Sequence, residues 1–163
     1  MKFLFFISLL FFTFSCCKKK PVDQEYQPIQ ITCTLTKNLD TCRSLIQGNW
    51  TWLEEKRFDQ VQQIFVYLTP QNQGYSLSLR LLNDTARFYK NNQPDSVYTF
   101  KVVRLTEISG TNFPEDNDPV LVFFNLHNGL RSFHVPIKIC SNYLLLQYQY
   151  VRSIEGEQIW KKQ

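Results

Sequence analysis

Glycine occurs only five times in this chain of 163 residues. That is too few for loops that cradle a phosphate, and neither a phosphate-loop nor a G-x-S-x-G spacing is present. With two histidines and no C-x-x-C or H-E-x-x-H, the chain also lacks the common zinc-binding patterns. No metal and no cofactor are therefore expected, and no enzyme activity. His127 falls in an expected turn and His134 on the polar face of a strand, neither beside a visible nucleophile. Glu115-Asp116-Asn117-Asp118 lacks the alternating ligand register and closing glutamate of a calcium loop and reads as a solvated turn. Helical periodicity is confined to Thr41–Gln47, and no internal repeat occurs. Apolar runs of spanning length are missing as well. The longest, Phe3 to Phe14, holds Ser8 and Thr13 and falls short of the roughly 20 residues a bilayer core demands.

That run follows Lys2 and precedes Ser15, Cys16 and Cys17, which is the pattern of a cleaved signal peptide, residues 1–15. Thr13-Phe14-Ser15-Cys16 resembles the lipobox of bacterial lipoproteins, in which the cysteine takes lipid before cleavage. The resemblance implies acyl chains such as palmitate on Cys16. The frame ending at Cys17 fits less well, because it puts a cysteine where a small residue belongs. It further implies a membrane partner through the N-terminal lipid and a place in the cell envelope, with the outer membrane expected. In such a protein the glycosylation-like triplets at Asn49 and Asn83 are coincidental. Residues 16–40 are expected to form a lipidated tether, since Lys18 to Gln30 shows no sustained apolar period and contains Pro21 and Pro28.

Loss of the leader removes Lys2 alone and leaves 17 basic and 14 acidic residues, of which 13 and 12 lie from Asp40 onward. A body so close to neutral is no nucleic-acid surface. Its length, residues 41–163, suits one domain.

Within that body the chain is a succession of period-2 segments separated by turn residues, as antiparallel strands with one buried face require. Gly48–Phe58, Tyr75–Leu81, Thr85–Lys90, Asp95–Leu105, Val120–Leu126, Phe133–Ile139, Tyr143–Arg152 and a last strand ending near Trp160 make eight, with Gln62–Leu68 as a candidate ninth. Asn128-Gly129 reads as a hairpin turn. Pro136 implies a bulge or an unpaired edge. The expected fold is all-β, an antiparallel up-and-down eight-stranded barrel, with a β-sandwich as the alternative.

Gly48-Asn49-Trp50, preceded by a short helical turn, resembles the G-x-W signature of lipocalins, and Ser141-Asn142-Tyr143 resembles their T-D-Y-like turn. The resemblance implies a lipocalin-like barrel whose floor is built from Gly48, Trp50, Ser141, Asn142 and Tyr143. It also implies a basic side chain over the tryptophan, for which Lys161 and Lys162 stand at the right end of the last strand. Strand parity then puts Cys42 near Cys140 as a possible disulfide, with Cys33–Cys42 nearly as good. A ninth barrel strand at 62–68 would reverse that parity.

Two functions are expected from such a barrel. One is binding of a small hydrophobic ligand in a cavity lined by Tyr75, Leu77, Leu79, Phe133, Val135, Leu144, Leu146, Tyr148 and Tyr150, with Asp59–Gly74 as a flap. The other is a filled barrel that engages an envelope protein as an interaction or inhibitor module, with loop Thr106–Pro119 as the contact. Occupancy of the interior separates the two.

Overall fold

The computed structural model describes residues 26–59, 61–109, 117–151 and 154–163. The expected signal peptide, Cys16, Cys17, the first part of the tether, residues 110–116 of the acidic loop and Arg152 lie outside them. So do the side chains of Tyr148 and Tyr150.

A short helix, α1 (Leu39–Leu45), precedes the first strand. Asn38 caps it by accepting a hydrogen bond from the Thr41 amide, and Asp40 lies in its first turn, where a negative charge suits the helix dipole. The chain then enters β1 (Gly48–Asp59), β2 (Ile64–Leu68), a single-turn helix α2 (Pro70–Gln73), β3 (Leu77–Leu82), β4 (Thr85–Lys90), β5 (Gln93–Arg104) and a second single turn, α3 (Thr106–Ser109). Four more strands follow: β6 (Pro119–Asn125), β7 (Arg131–Ile139), β8 (Tyr143–Val151) and β9 (Ile154–Lys162).

All pairings are antiparallel, and β1 pairs with β9 from Trp50↔Lys162 to Lys56↔Glu157. That closure makes an eight-stranded barrel plus one extra strand and excludes the sandwich. The extra strand is β2. Lys56 pairs with both Tyr67 of β2 and Glu157 of β9, while Trp50 pairs with both Leu79 of β3 and Lys162 of β9. Each strand has two edges, so β2 and β3 share the edge of β1 that faces away from β9. They divide one barrel position between them, α2 sits at the break, and strand parity is preserved.

Two turns reverse the chain without glycine. Asn83-Asp84 and Asn91-Asn92 each put both central residues at positive φ, which short amide and carboxylate side chains tolerate. Asn128-Gly129 differs from expectation. Only Gly129 is left-handed (φ 67°), and its amide donates to the Asn125 carbonyl, so the β6–β7 connection is a longer loop. Pro136 behaves as expected of a residue with no N–H to donate. The β7–β8 ladder spans only Ile137↔Leu146 to Ile139↔Leu144 and stops beside it.

The chain joins the barrel earlier than the expected tether of residues 16–40 implies. From Tyr26 onward the chain lies along the barrel as a strap: Ile29, Ile31, Cys33 and Leu35 are partly buried while Gln30, Thr32 and Thr34 are exposed. Thr36 exchanges backbone hydrogen bonds with Ile139, and Cys33 is disulfide-bonded to Cys140. At the other end the Tyr26 hydroxyl and the Ile29 amide donate to Glu54. The strap runs from β1 to the end of β7 and so crosses β9 and β8, where Ile159 and Leu145 are paired, outward-facing and buried. Their burial on an outer wall requires such a cover.

The expected Cys42–Cys140 bridge is therefore corrected to Cys33–Cys140, and the Cys33–Cys42 alternative falls with it. Parity did bring α1 to the correct end. However, α1 turns Cys42 into the core as a free, fully buried thiol, while the strap before it carries Cys33 past Cys140.

Candidate functional site

The closed end of the barrel is built around Trp50. Its indole N–H donates to the Ile46 carbonyl at 2.8 Å, which ties the ring to the end of α1. Across the β1–β9 seam the Lys162 ammonium sits 5.2 Å from the Trp50 ring centroid and donates to the Leu45 carbonyl at 3.0 Å. One cation thus serves a ring face and a helix C-terminus, both of which favour positive charge. Gly48 makes room for it. Its φ is +138°, which strains any side chain, and a Cβ there would stand 2.8 Å from Lys162 Cε, so the lysine end would have to move.

Ser141 and Asn142 form the β7–β8 turn at the same end, where the Asn142 carbonyl accepts from the Lys162 amide and the Tyr143 carbonyl from the Cys140 amide. Gly48, Trp50, Asn142, Tyr143 and Lys162 therefore do meet. Of the two lysines offered by the sequence, Lys162 covers the ring, while Lys161 points outward and is exposed.

Above this floor the interior is occupied. Trp52 and Trp160 join Trp50 as fully buried rings, packed with Leu79, Leu81, Val135, Ile137, Leu144 and Leu146. Each buried tryptophan removes about 150–250 Å² from water, an upper contribution of about 4–6 kcal/mol. Higher still, Phe88, Tyr98, Phe123 and Phe133 form a ring cluster with centroid separations from 4.4 to 5.9 Å, mostly tilted or edge to face. Of the nine expected lining residues, Leu79, Val135, Leu144 and Leu146 are core, and Phe133 belongs to this cluster. Tyr75 and Leu77 pack against the core from the mouth, and the side chains of Tyr148 and Tyr150 lie outside the described residues.

One polar line rises through the apolar interior. Trp160 donates through its indole N–H to the Gln158 side chain, which donates in turn to Glu55 at 2.8 Å. Trp52 is different: its ring stacks on Tyr75 at 5.7 Å, the Lys90 ammonium lies over the Tyr75 ring at 4.4 Å, and the buried Trp52 indole N–H has no partner. An unpaired buried donor costs about 1–3 kcal/mol.

Two cavities bounded by described residues lie away from these rings. One of about 390 Å³ is on the outer wall of β3 and β4, lined by Arg80, Leu82, Asn83, Thr85 and Arg87. A second, of about 340 Å³, lies between α1 and β5 and includes Arg43, Asp84 and Lys101. Arg80 and Arg87 face each other across the β3–β4 ladder, and neither has a carboxylate partner among the described residues. No group of three or more His, Cys, Asp or Glu side chains among the described residues could hold a metal.

Compared with known proteins, the chain matches no family model, no curated protein and no solved structure. The barrel is compatible with a lipocalin-like fold, and an eight-stranded barrel is compatible with ligand binding.

Sequence reasoning missed the strap, Trp52, and the Phe88–Tyr98–Phe123 cluster. The strap had a signal, the strict alternation Ile29-Gln30-Ile31-Thr32-Cys33-Thr34-Leu35. Trp52 had one as well, two residues beyond Trp50 on the same strand face. Glu54 had none, because a bulge in β1 between Trp52 and Glu54 turns that carboxylate outward beneath the strap.

Proposed function

We propose that this chain is an envelope lipoprotein held by lipid on Cys16, with a filled barrel that acts through its outer surfaces as a protein interaction or inhibitor module. The observation that carries the reading is the packed interior: buried Trp50 on the floor, Trp52 and Trp160 above it, and four interlocked aromatic rings higher still. A filled barrel is a rigid scaffold, and its functional chemistry then belongs to the strap, the turns and the outer face. The α3 turn and the connection to β6 leave from the closed end and remain the first contact site on this reading. Deleting residues 107–116 from the tagged full chain should abolish partner capture from envelope extracts while the melting temperature holds. Unchanged capture removes that loop from the proposal.

A second reading, a small hydrophobic ligand in the mouth, draws support from the unpaired Trp52 indole N–H beneath half-buried Tyr75. Such a ligand would set an apolar body against Tyr75, Tyr98 and Phe133 and offer an acceptor to Trp52. Native mass spectrometry of the protein purified from its own envelope distinguishes the readings by the presence or absence of a co-purified ligand.

A further inference from the structure

We propose that the open end of the barrel docks directly on a lipid surface, with two hairpin tips entering the headgroup layer. Eight large apolar side chains are exposed among the described residues, and five of them sit on two tips: Val61 (93%), Ile64 (50%) and Phe65 (49%) between and beside β1 and β2, Leu126 (53%) and Leu130 (66%) between β6 and β7. The topology puts both tips at one end. β1 and β6 run away from the closed floor, so the turns that follow them project together at the opposite rim. Scattered apolar residues on a surface mean little, but this collection at one rim marks an interaction site.

The charges beside the tips suit an anionic surface. Lys56 lies over the Phe65 ring at 4.4 Å, a cation held next to an apolar side chain, and exposed Arg57 and Arg131 flank the two tips. Asp59 is engaged locally, accepting from the amides of Val61 and Gln62, and so shapes the first tip.

The place where the strap leaves the barrel selects lipid as the occupant. Tyr26 packs on Tyr67 at 5.1 Å, and Tyr67 pairs with Lys56, three residues short of the end of β1. The exit therefore lies about 10 Å from the tip, at about 3.3 Å per strand residue. Cys16 is ten residues before Tyr26, a reach of at most about 35 Å. Acyl chains on Cys16 can thus lie in the same bilayer as the tips. The orientation rests on the Cys16 anchor proposed above, whereas the contacts rest on the tips themselves.

The test uses the processed, acylated full chain on phosphatidylethanolamine–phosphatidylglycerol vesicles whose acyl chains carry bromine, with tryptophan placed at Val61→Trp, Leu130→Trp or, as an outer-wall control, Val97→Trp. The native tryptophans are buried in the barrel and give a constant background. Docking predicts quenching and a blue shift at 61 and 130, with the indoles about 5–10 Å into the headgroup–acyl boundary, and neither at 97. Equal quenching at all three positions, or stronger quenching at 97, overturns it. Intact mass of the N-terminal peptide from the same sample separates the two claims. Tip quenching without an acyl group on Cys16 upholds docking and removes the anchor. An acylated chain with unquenched tips removes docking alone.

Discussion

The disulfide between Cys33 and Cys140 makes a quantitative claim, because it joins residues 107 positions apart. Cross-linking a loop of that length removes entropy from the unfolded chain worth about 4.7 kcal/mol at room temperature. Against a total of about 5–15 kcal/mol for a domain, its loss is a large fraction of the stability. Cys33→Ser is the cleaner perturbation, since Cys33 is partly exposed in the strap whereas Cys140 is buried and its truncation would add packing loss. Guanidinium unfolding of the oxidised protein and of Cys33→Ser should differ by about 3–5 kcal/mol, with further loss of strap protection in hydrogen exchange. Cys42 provides the internal control. It is fully buried, and burial pushes its thiol up to about 11, so alkylating reagent should reach it only after unfolding. A difference below about 1 kcal/mol, or a peptide map that pairs Cys42 with Cys33 or Cys140, would refute the argument.

Three other expectations follow from named contacts. Gly48→Ala should cost about 1–3 kcal/mol, read as a lowered melting temperature, because it imposes a left-handed backbone on a side chain and displaces Lys162 from Trp50. Burial, and then the hydrogen bond to Glu54, push the Tyr26 phenol well above its ordinary value near 10. The folded state therefore holds that proton more tightly than the unfolded state, so its contribution is complete below about pH 10 and lost as pH rises further. Limited proteolysis should show the strap opening at alkaline pH, and Tyr26→Phe should remove that dependence. Arg80→Glu should stabilise the barrel by about 0.2–1 kcal/mol by replacing a like-charge cross-strand pair with an opposite one, and the gain should fade with salt.

Strand order, the closed end and the Gly48–Trp50–Lys162 contact were legible because period-2 alternation and strand parity are properties of the backbone. Connection geometry was less legible. Asn91-Asn92 turned as its residues suggest, but Asn128-Gly129 did not, because the chain keeps Leu126 to Leu130 as a longer loop. The pairing of Cys140 was beyond parity, since Cys33 and Cys42 both arrive at the same end and only the path of the strap decides between them. The extent of the tether was misjudged at Ile29–Leu35, whose alternation precedes the first barrel strand and packs on the outside of the wall. Alternation also names the residues that face inward without saying whether they meet. Phe88, Tyr98, Phe123 and Phe133 do meet, and that contact shifts the balance from a cavity to a scaffold.

The most direct measurement of that central point is a fluorescent fatty-acid titration of the purified barrel beside its Phe123→Ala variant. Phe123 is buried at the centre of the ring cluster, so its truncation opens a void among those rings. A filled barrel predicts no saturable uptake by the wild type and a new saturable site in Phe123→Ala, whereas one-to-one saturation of the wild type would contradict it.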